Sequence, residues 1–374
     1  MDPADLFDKL TRFPDVEAPE LVAVDATDRL LLDEAAPLLA VLGPGELVVV
    51  DDAYGALTLG AVALHGGQDV RVHQDSLVGE LALAANAERT GLAGTYRSLP
   101  LDAELFAGAR LVLAQAPKAL DALRELTELA SVAAPDATLL VGGRVKHMTH
   151  AMNDVLRLGF TEVSATLGRQ KSRVLVARVP RPGVEPTFPR GRRDVGSGLT
   201  VCAHGAAFSG NRVDDGTRAL LAELAAAAPD ARTALDLGCG TGVLAAALAG
   251  ARPELEVAAT DSSAAAVAST RATLTANGLA DRVRVTRDDA AAGVVDDSVD
   301  LVVCNPPFHL GTAVLPGAAD RLFTAAARVL RPGGQLWAVY NNRLPHRAAL
   351  KRLVGPTRVV EAGRQFTVTA STRR

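Results

Sequence analysis

The chain has 374 residues, 48% hydrophobic and 22% charged, a balance that can bury a large core and excludes wholesale disorder. Its length favours two domains of ordinary size, and its formal charge of −4 gives no general attraction to nucleic acid. Cys202, Cys239 and Cys304 are an odd set without a CxxC pair, which excludes a disulfide framework and a cysteine zinc site.

Residues Met1 to Leu10 carry Asp2, Asp5 and Asp8 and lack a basic region followed by an apolar core, so no secretory signal is expected. No apolar run reaches the roughly 18 residues of a membrane span, and the expected location is cytoplasmic. Strand-length apolar runs then alternate with longer Ala- and Leu-rich stretches of helical period, predicting βα units around a mainly parallel sheet. In this first half, Asp51 lies in "LVVVDDAYGAL", Asp75 follows 24 residues later and Gln115, in "LVLAQAPK", 40 beyond that. "APDATLL" begins at Ala134. Four prolines fall between Pro180 and Pro189, followed by Arg190, Arg192 and Arg193. Such a stretch predicts a stiff extended linker, placed at residues 186–198 between domains spanning 1–185 and 199–374.

The second half repeats the order of the first. Asp236 is followed 25 residues on by Asp261 and 44 further by Asn305, and "RPGGQL" begins at Arg331. "TANGL" (Thr275–Leu279) echoes "ERTGL" (Glu88–Leu92). The spacing implies a duplicated α/β domain whose chemically meaningful positions differ between the copies.

In "TALDLGCGTGVLAAALA", a short strand joins an Ala-rich helix through Gly238, Gly240 and Gly242. Glycines there allow a sharp turn and bring N–H groups near a ligand. Asp236 precedes them, and Asp261 ends the following strand, where a carboxylate can accept hydrogen bonds from ribose hydroxyls. A dinucleotide loop would read GxGxxG. The GxGxG here, with an acid two positions before it, favours S-adenosylmethionine over NAD, while a tight structural turn is the bland alternative.

"DLVVCNPPFHLG" (Asp300–Gly311) carries the most information. A buried strand delivers Asn305, Pro306, Pro307 and Phe308 to the carboxyl edge of the sheet, where open α/β folds bind ligands. A conjugated NH2 group is a poor nucleophile because its lone pair is delocalised. The Asn305 side-chain oxygen and the Pro306 carbonyl can accept its two hydrogens and turn the lone pair toward an electrophilic methyl. Alignment of this kind supplies about 7–11 kcal/mol in well-oriented systems. Pro306 and Pro307 stiffen the loop, and Phe308 can stack on the ring bearing the amine.

The seven histidines form no HxH or HExxH pattern, so no metal is expected. His309 could touch substrate or face solvent. Cys239 and Cys304 read as buried fillers, and Trp337, in "GQLWAVY", as a core residue. From Asn341 onward, eight Lys or Arg stand against Glu361 alone. This basic end suits an anionic partner such as RNA, or is simply a solvated face.

The segment from Phe208 to Phe366 closely resembles the catalytic half of the bacterial ribosomal RNA guanine-N2 methyltransferases. The residues that carry the likeness are "FSGNRVDDGTRALL", "LDLGCGTGVL", "ATDSSAAAVASTRATLTANGL", "NPPFHLG" and "NNRLPHRAALKRLVG". "DDAYGALTLGA", "PKALDALRELTELA" and "GGRVKHM" are similar to that family's degenerate first domain, most of all in enzymes of the large-subunit RNA. The resemblance implies two tandem class I, Rossmann-like methyltransferase domains, each a mainly parallel sheet with a C-terminal antiparallel hairpin. It implies that the second domain uses S-adenosylmethionine to methylate guanine N2 in ribosomal RNA, of the 23S or the 16S kind, in free RNA or a ribosomal particle; a monomer is the expected state, which the sequence leaves open. By position, Gly238, Gly240 and Gly242 line the cofactor, Asp261 holds its ribose, and Asp288 or Asp289 meets the adenine amine. Asn305, Pro306 and Phe308 form the acceptor site.

In the first domain the glycine loop reads Ala53-Tyr54-Gly55-Ala56-Leu57, where Leu57 is expected to hinder a cofactor, and the acceptor site reads Gln115-Ala116-Pro117-Lys118. That domain is expected neither to bind cofactor nor to catalyse. Acceptor sites of this type also serve adenine N6 and protein glutamine amides, alternatives that spacing leaves open. An RNA chaperone with a vestigial site is a third reading, disfavoured by the intact motifs.

Overall fold

The computed structural model describes residues 3–18, 20–306 and 318–374. It divides into two compact units, Met1–Phe188 and Pro189–Arg374. The first is built on strands β1 (Leu47–Val50), β2 (Val70–His73), β3 (Tyr96–Ser98), β4 (Leu111–Gln115), β5 (Thr138–Arg144), β6 (Phe160–Ala165) and β7 (Ser172–Pro180). They lie in the order β3-β2-β1-β4-β5-β7-β6. The first five are parallel, and β7 runs antiparallel between β5 and β6.

The second unit starts with β8 (Arg190–Arg193) and β9 (Thr200–Ala203). Its sheet follows with β10 (Thr233–Leu237), β11 (Glu256–Asp261), β12 (Val283–Arg287), β13 (Val299–Cys304), β14 (Leu330–Asn341), β15 (Thr357–Ala362) and β16 (Phe366–Thr372). The order β12-β11-β10-β13-β14-β16-β15 repeats the first sheet, with β16 again antiparallel. Both units therefore have the expected fold.

The central strands read as unbroken apolar runs because helices cover both faces of a parallel sheet. In β10, four of five residues are buried, and β13 ends in four buried residues. The chain winds outward from β10 to β12 and then returns to β13 on the other side. This reversal opens a crevice outside the carboxyl ends of β10 and β13. Trp337, in the middle of β14, is fully buried.

Residues 190–193 fall inside the stretch expected to be a linker, yet they form β8, paired antiparallel with β9. The free edge of β9 is satisfied by side chains of the helix Ala264–Ala276 and its cap. Thr273 Oγ1 accepts from Cys202 N at 2.9 Å, and Asn277 both accepts from Thr200 N and donates to Thr200 O. The proline pattern could not reveal this, because the partners lie more than 70 residues away. Among the described residues, no helix is long and apolar enough to cross a membrane.

Candidate active site

Four successive strand ends of the second unit bring the expected residues to one edge. The loop after β10 holds Gly238, Gly240 and Gly242 at φ of +77°, +54° and +76°, a region that L-residues with a Cβ seldom enter. A Cβ on Gly238 or Gly240 would meet no atom within 4 Å, whereas one on Gly242 would lie 2.7 Å from Thr270 Cγ2. The first two glycines thus border open space, while the third lets the loop pack on the next helix. Gly238 N and Cys239 N donate to Thr260 O, which ties the loop to the end of β11.

Asp261 braces that loop, its Oδ2 accepting from Gly240 N at 3.0 Å and its Oδ1 from Ser263 N at 2.9 Å. Asp288 follows β12, its N–H donating to Asp261 O at 2.9 Å, while its carboxylate accepts from Gly293 N at 3.0 Å. Asp289 instead pairs with Arg321. The two acids therefore have different work inside the fold.

Asp236 is fully buried beneath the loop. One oxygen accepts from Ala245 N at 3.0 Å, and the other, Oδ1, has no partner among the described residues. Burial pushes its acid up to about 7, with the nearby charge of Asp261 adding to the effect and the Ala245 N–H opposing it. The open ground above Gly238 and Gly240, with the Asp236 and Asp261 carboxylates beside it, fits the donor set that a cationic, ribose-bearing cofactor would need.

Asn305 stands at the tip of β13, half-buried, and Pro306 is buried behind it. The Asn305 amide donates to Asp214 Oδ1 at 3.1 Å and to Thr217 Oγ1 at 3.0 Å. Its Oδ1 is buried with no partner among the described residues. Gly216 lies alongside, and a Cβ there would come within 3.3 Å of both Asn305 Oδ1 and the Phe366 ring. Pro307, Phe308 and His309 lie outside the described residues. Asp214, Thr217 and Phe366 were not singled out by the spacing of motifs. The available signal was local, an Asp followed three residues later by Thr at a helix start.

Burial raises the Cys239 and Cys304 thiols, which suits packing rather than nucleophilic work. Two of the eight C-terminal cations are held internally, Arg352 by Asp320 and Arg373 by Asp297, and Arg358 covers the Trp337 ring. Part of that basic run is therefore structural.

The first unit repeats the scaffold with other residues at these positions, and it corrects the residue matching made from spacing. Asp51 N donates to His73 O as Gly238 N does to Thr260 O, so Asp51 matches Gly238 rather than Asp236. Ala53 then matches Gly240, and Gly55 matches Gly242, with φ of +55°, +59° and +97° along the loop. Ala53 N donates to Gln74 Oε1 at 3.0 Å just as Gly240 N does to Asp261, so Gln74, not Asp75, stands where the ribose carboxylate would be. Val49 replaces Asp236. Leu57 matches Leu244 and is wholly buried in the core; it obstructs nothing. Tyr54 occupies the loop instead, its hydroxyl donating to Asp15 at 2.7 Å and its ring lying 4.5 Å from the Arg12 guanidinium.

A sheet of this strand order with a glycine loop over a buried acid defines an S-adenosylmethionine-dependent class I methyltransferase. Residues 198–370 match the methyltransferase small domain, and residues 3–181 match the RLMG N-terminal domain. The ribosomal RNA large subunit methyltransferase G of Streptomyces coelicolor is 37% identical over 369 residues, covering 96% of each chain. That of Pseudomonas aeruginosa is 37% identical over 363 residues, again with 96% of each covered. The chain belongs to the ribosomal RNA large subunit methyltransferase G family. In fold it is similar to the Thermus thermophilus 16S rRNA N2 G1207 methyltransferase solved with AdoMet and guanosine, at TM-score 0.73 and 23% identity, covering 94% of this chain and 92% of that one.

Proposed function

We propose that the chain transfers a methyl group from S-adenosylmethionine to the exocyclic N2 of a guanine in large-subunit ribosomal RNA, with the second unit as the catalytic one. The observation that carries this reading is the buried, unpartnered Oδ1 of Asn305 beside the carboxyl edge of β10 and β13. An acceptor without a donor in a half-buried site costs about 1–3 kcal/mol, a cost that an incoming amine removes. The family membership supports ribosomal RNA as the substrate.

S-adenosylmethionine, when bound, supplies an electrophilic methyl group on a sulfonium. Gly238 and Gly240 would admit its body, Asp261 its ribose and Asp288 or Asp289 its adenine, with Asp236 beneath the loop. Asn305 Oδ1 and the Pro306 carbonyl accept the two N2 hydrogens, so the nitrogen lone pair is held out of conjugation. These residues need supply no strong base: an amine held by two acceptors would release one proton to solvent as the methyl passes to it and the electron pair of the broken carbon–sulfur bond stays on sulfur. Phe308 is the candidate stacking surface. A paired guanine has its N2 engaged, so the base must leave the stack, at a cost of a few kcal/mol. The first unit, with Asp51 and Ala53 in place of Gly238 and Gly240 and Gln74 in place of Asp261, has the role of orienting RNA or supporting stability.

The test is methyl transfer to ribosomal RNA from a strain lacking the enzyme, with nucleosides identified by mass spectrometry. Asn305→Ala is expected to lose on the order of 10²–10³ in rate, as when one preorganised group is removed from a charge-stabilising site, with cofactor affinity by calorimetry nearly unchanged. Product at adenine N6 or on protein glutamine, or full activity in the variant, overturns the assignment.

A further inference from the structure

We propose that Asp214 and Thr217 are positioning residues that fix which end of the Asn305 carboxamide faces the acceptor amine. The proposal rests on the reading of Asn305 as the amine acceptor and adds what makes it one. A primary amide has two ends of nearly equal shape, one donating and one accepting. Only the oxygen can receive an N–H from the substrate.

The geometry leaves the amide one orientation. Asp214 caps the helix Asp215–Glu223, accepting from Gly216 N at 3.0 Å and Thr217 N at 3.1 Å. The Thr217 hydroxyl gives its single hydrogen to Asp214 Oδ2 at 2.6 Å, so only its lone pairs remain for Asn305. Both Asn305 N–H bonds are then taken, one by a carboxylate and one by a hydroxyl that cannot donate back. Flipping the amide would set its oxygen against an anion and a lone pair. Donation to a carboxylate also polarises the amide and strengthens its oxygen as an acceptor. Gly216 completes the arrangement, because a Cβ there would crowd both Asp214 Oδ1, at 3.1 Å, and Asn305 Oδ1, at 3.3 Å.

The first unit carries an independent instance. Its helix Ala26–Leu39 starts at Asp25, with Asp28 completing a reciprocal capping box. Asp28 sits where Thr217 does and receives the amide N–H of Gln115, the residue in the Asn305 position. The bond from helix start to strand tip has persisted where the proline-rich loop has not.

The experiment uses the full chain with unmodified ribosomal RNA, four variants at Asp214 and Thr217, and Asn305→Ala as the reference. Asp214→Asn and Asp214→Ser both keep a good helix cap, but Asn presents an NH2 and Ser removes the anion. Thr217→Val deletes the hydroxyl, and Thr217→Ser restores it. A misaligned acceptor costs about 10²-fold. Asp214→Asn and Thr217→Val are therefore expected to lower kcat by about that factor, with KM for RNA and cofactor affinity within twofold of wild type. Thr217→Ser recovers most of the rate lost in Thr217→Val. Melting followed by Trp337 fluorescence shows that the unit is folded. If Asp214→Asn does not fold, the Thr217 pair carries the test. A wild-type kcat in Asp214→Asn and Thr217→Val beside an inactive Asn305→Ala overturns the positioning role alone. So does a loss expressed only in cofactor affinity or melting temperature. Full activity in Asn305→Ala overturns the acceptor reading and this one with it.

Discussion

Asp236 makes the stability of the second unit fall as pH rises. Its acid stands at about 7 in the folded chain against an ordinary 3.8, so between those values the folded state holds a proton that the unfolded state has released. The contribution is fully present below about pH 4 and is lost as pH rises through about 7. Each pH unit in this range removes about 1.4 kcal/mol, for a total of about 4 kcal/mol. Between pH 5 and pH 8 the expected loss is about 3 kcal/mol, or roughly 6–12 °C in melting temperature for a unit of this size. Trp337 is the only tryptophan of the chain, fully buried in the second unit, so its fluorescence reports this unit and not the first, where burial likewise raises the acids of Asp28 and Asp52. Asp236→Asn keeps an acceptor for Ala245 N and cannot ionise. The wild-type and variant stability curves, measured by urea unfolding at several pH values, should therefore diverge by about 3 kcal/mol between pH 5 and pH 8. Parallel curves would refute the reasoning, since they would mean that the folded unit carries Asp236 with an ordinary acidity.

Gly238→Ala adds a Cβ in open space at a left-handed φ and should cost only about 1–2 kcal/mol of stability while weakening cofactor binding measured by calorimetry. Gly242→Ala meets Thr270 as well, and should destabilise by about 2–5 kcal/mol in urea unfolding. Equal stability losses at the two positions would contradict the division between open ground and packing. In the first unit, Ala53→Gly relieves a left-handed alanine and should leave stability unchanged or raised by up to about 1 kcal/mol. It should add no second cofactor site in a calorimetric titration, because Gln74 still stands in the Asp261 position, where it offers an amide and not a carboxylate.

Motifs resting on local chemistry were legible in advance. The glycine loop, Asp261 after the second strand, and Asn305 and Pro306 after the fourth sit on neighbouring strand ends because strand, turn and helix follow in fixed order in a βα unit. The duplication was equally readable. Matching individual residues between the copies was not, since Asp51 and Asp75 look like counterparts of Asp236 and Asp261 by spacing. The hydrogen bonds to His73 O and Gln74 place them two positions and one position away. A shift of one residue in a strand moves a side chain to the other face, and only the ladder reveals it. The bland treatment of Leu57 as an obstacle failed for the same reason.

Composition, periodicity and the short motifs were enough to expect two α/β units, and with the family resemblance they led to the expectation of a methyl-transfer site in the second and none in the first. Those features are written in contiguous residues, and a parallel sheet has few ways to satisfy them. Tertiary structure decided which amide end Asn305 presents, which oxygen of Asp236 lacks a donor, and which residues close the edge of β9. The Asn305 and β9 cases depend on groups tens of residues apart, Asp214 from Asn305 by 91 positions, and the Asp236 case on Ala245 N, which the turn of the glycine loop folds back over it; in each the groups meet where water is excluded and every unpaired polar atom carries a cost.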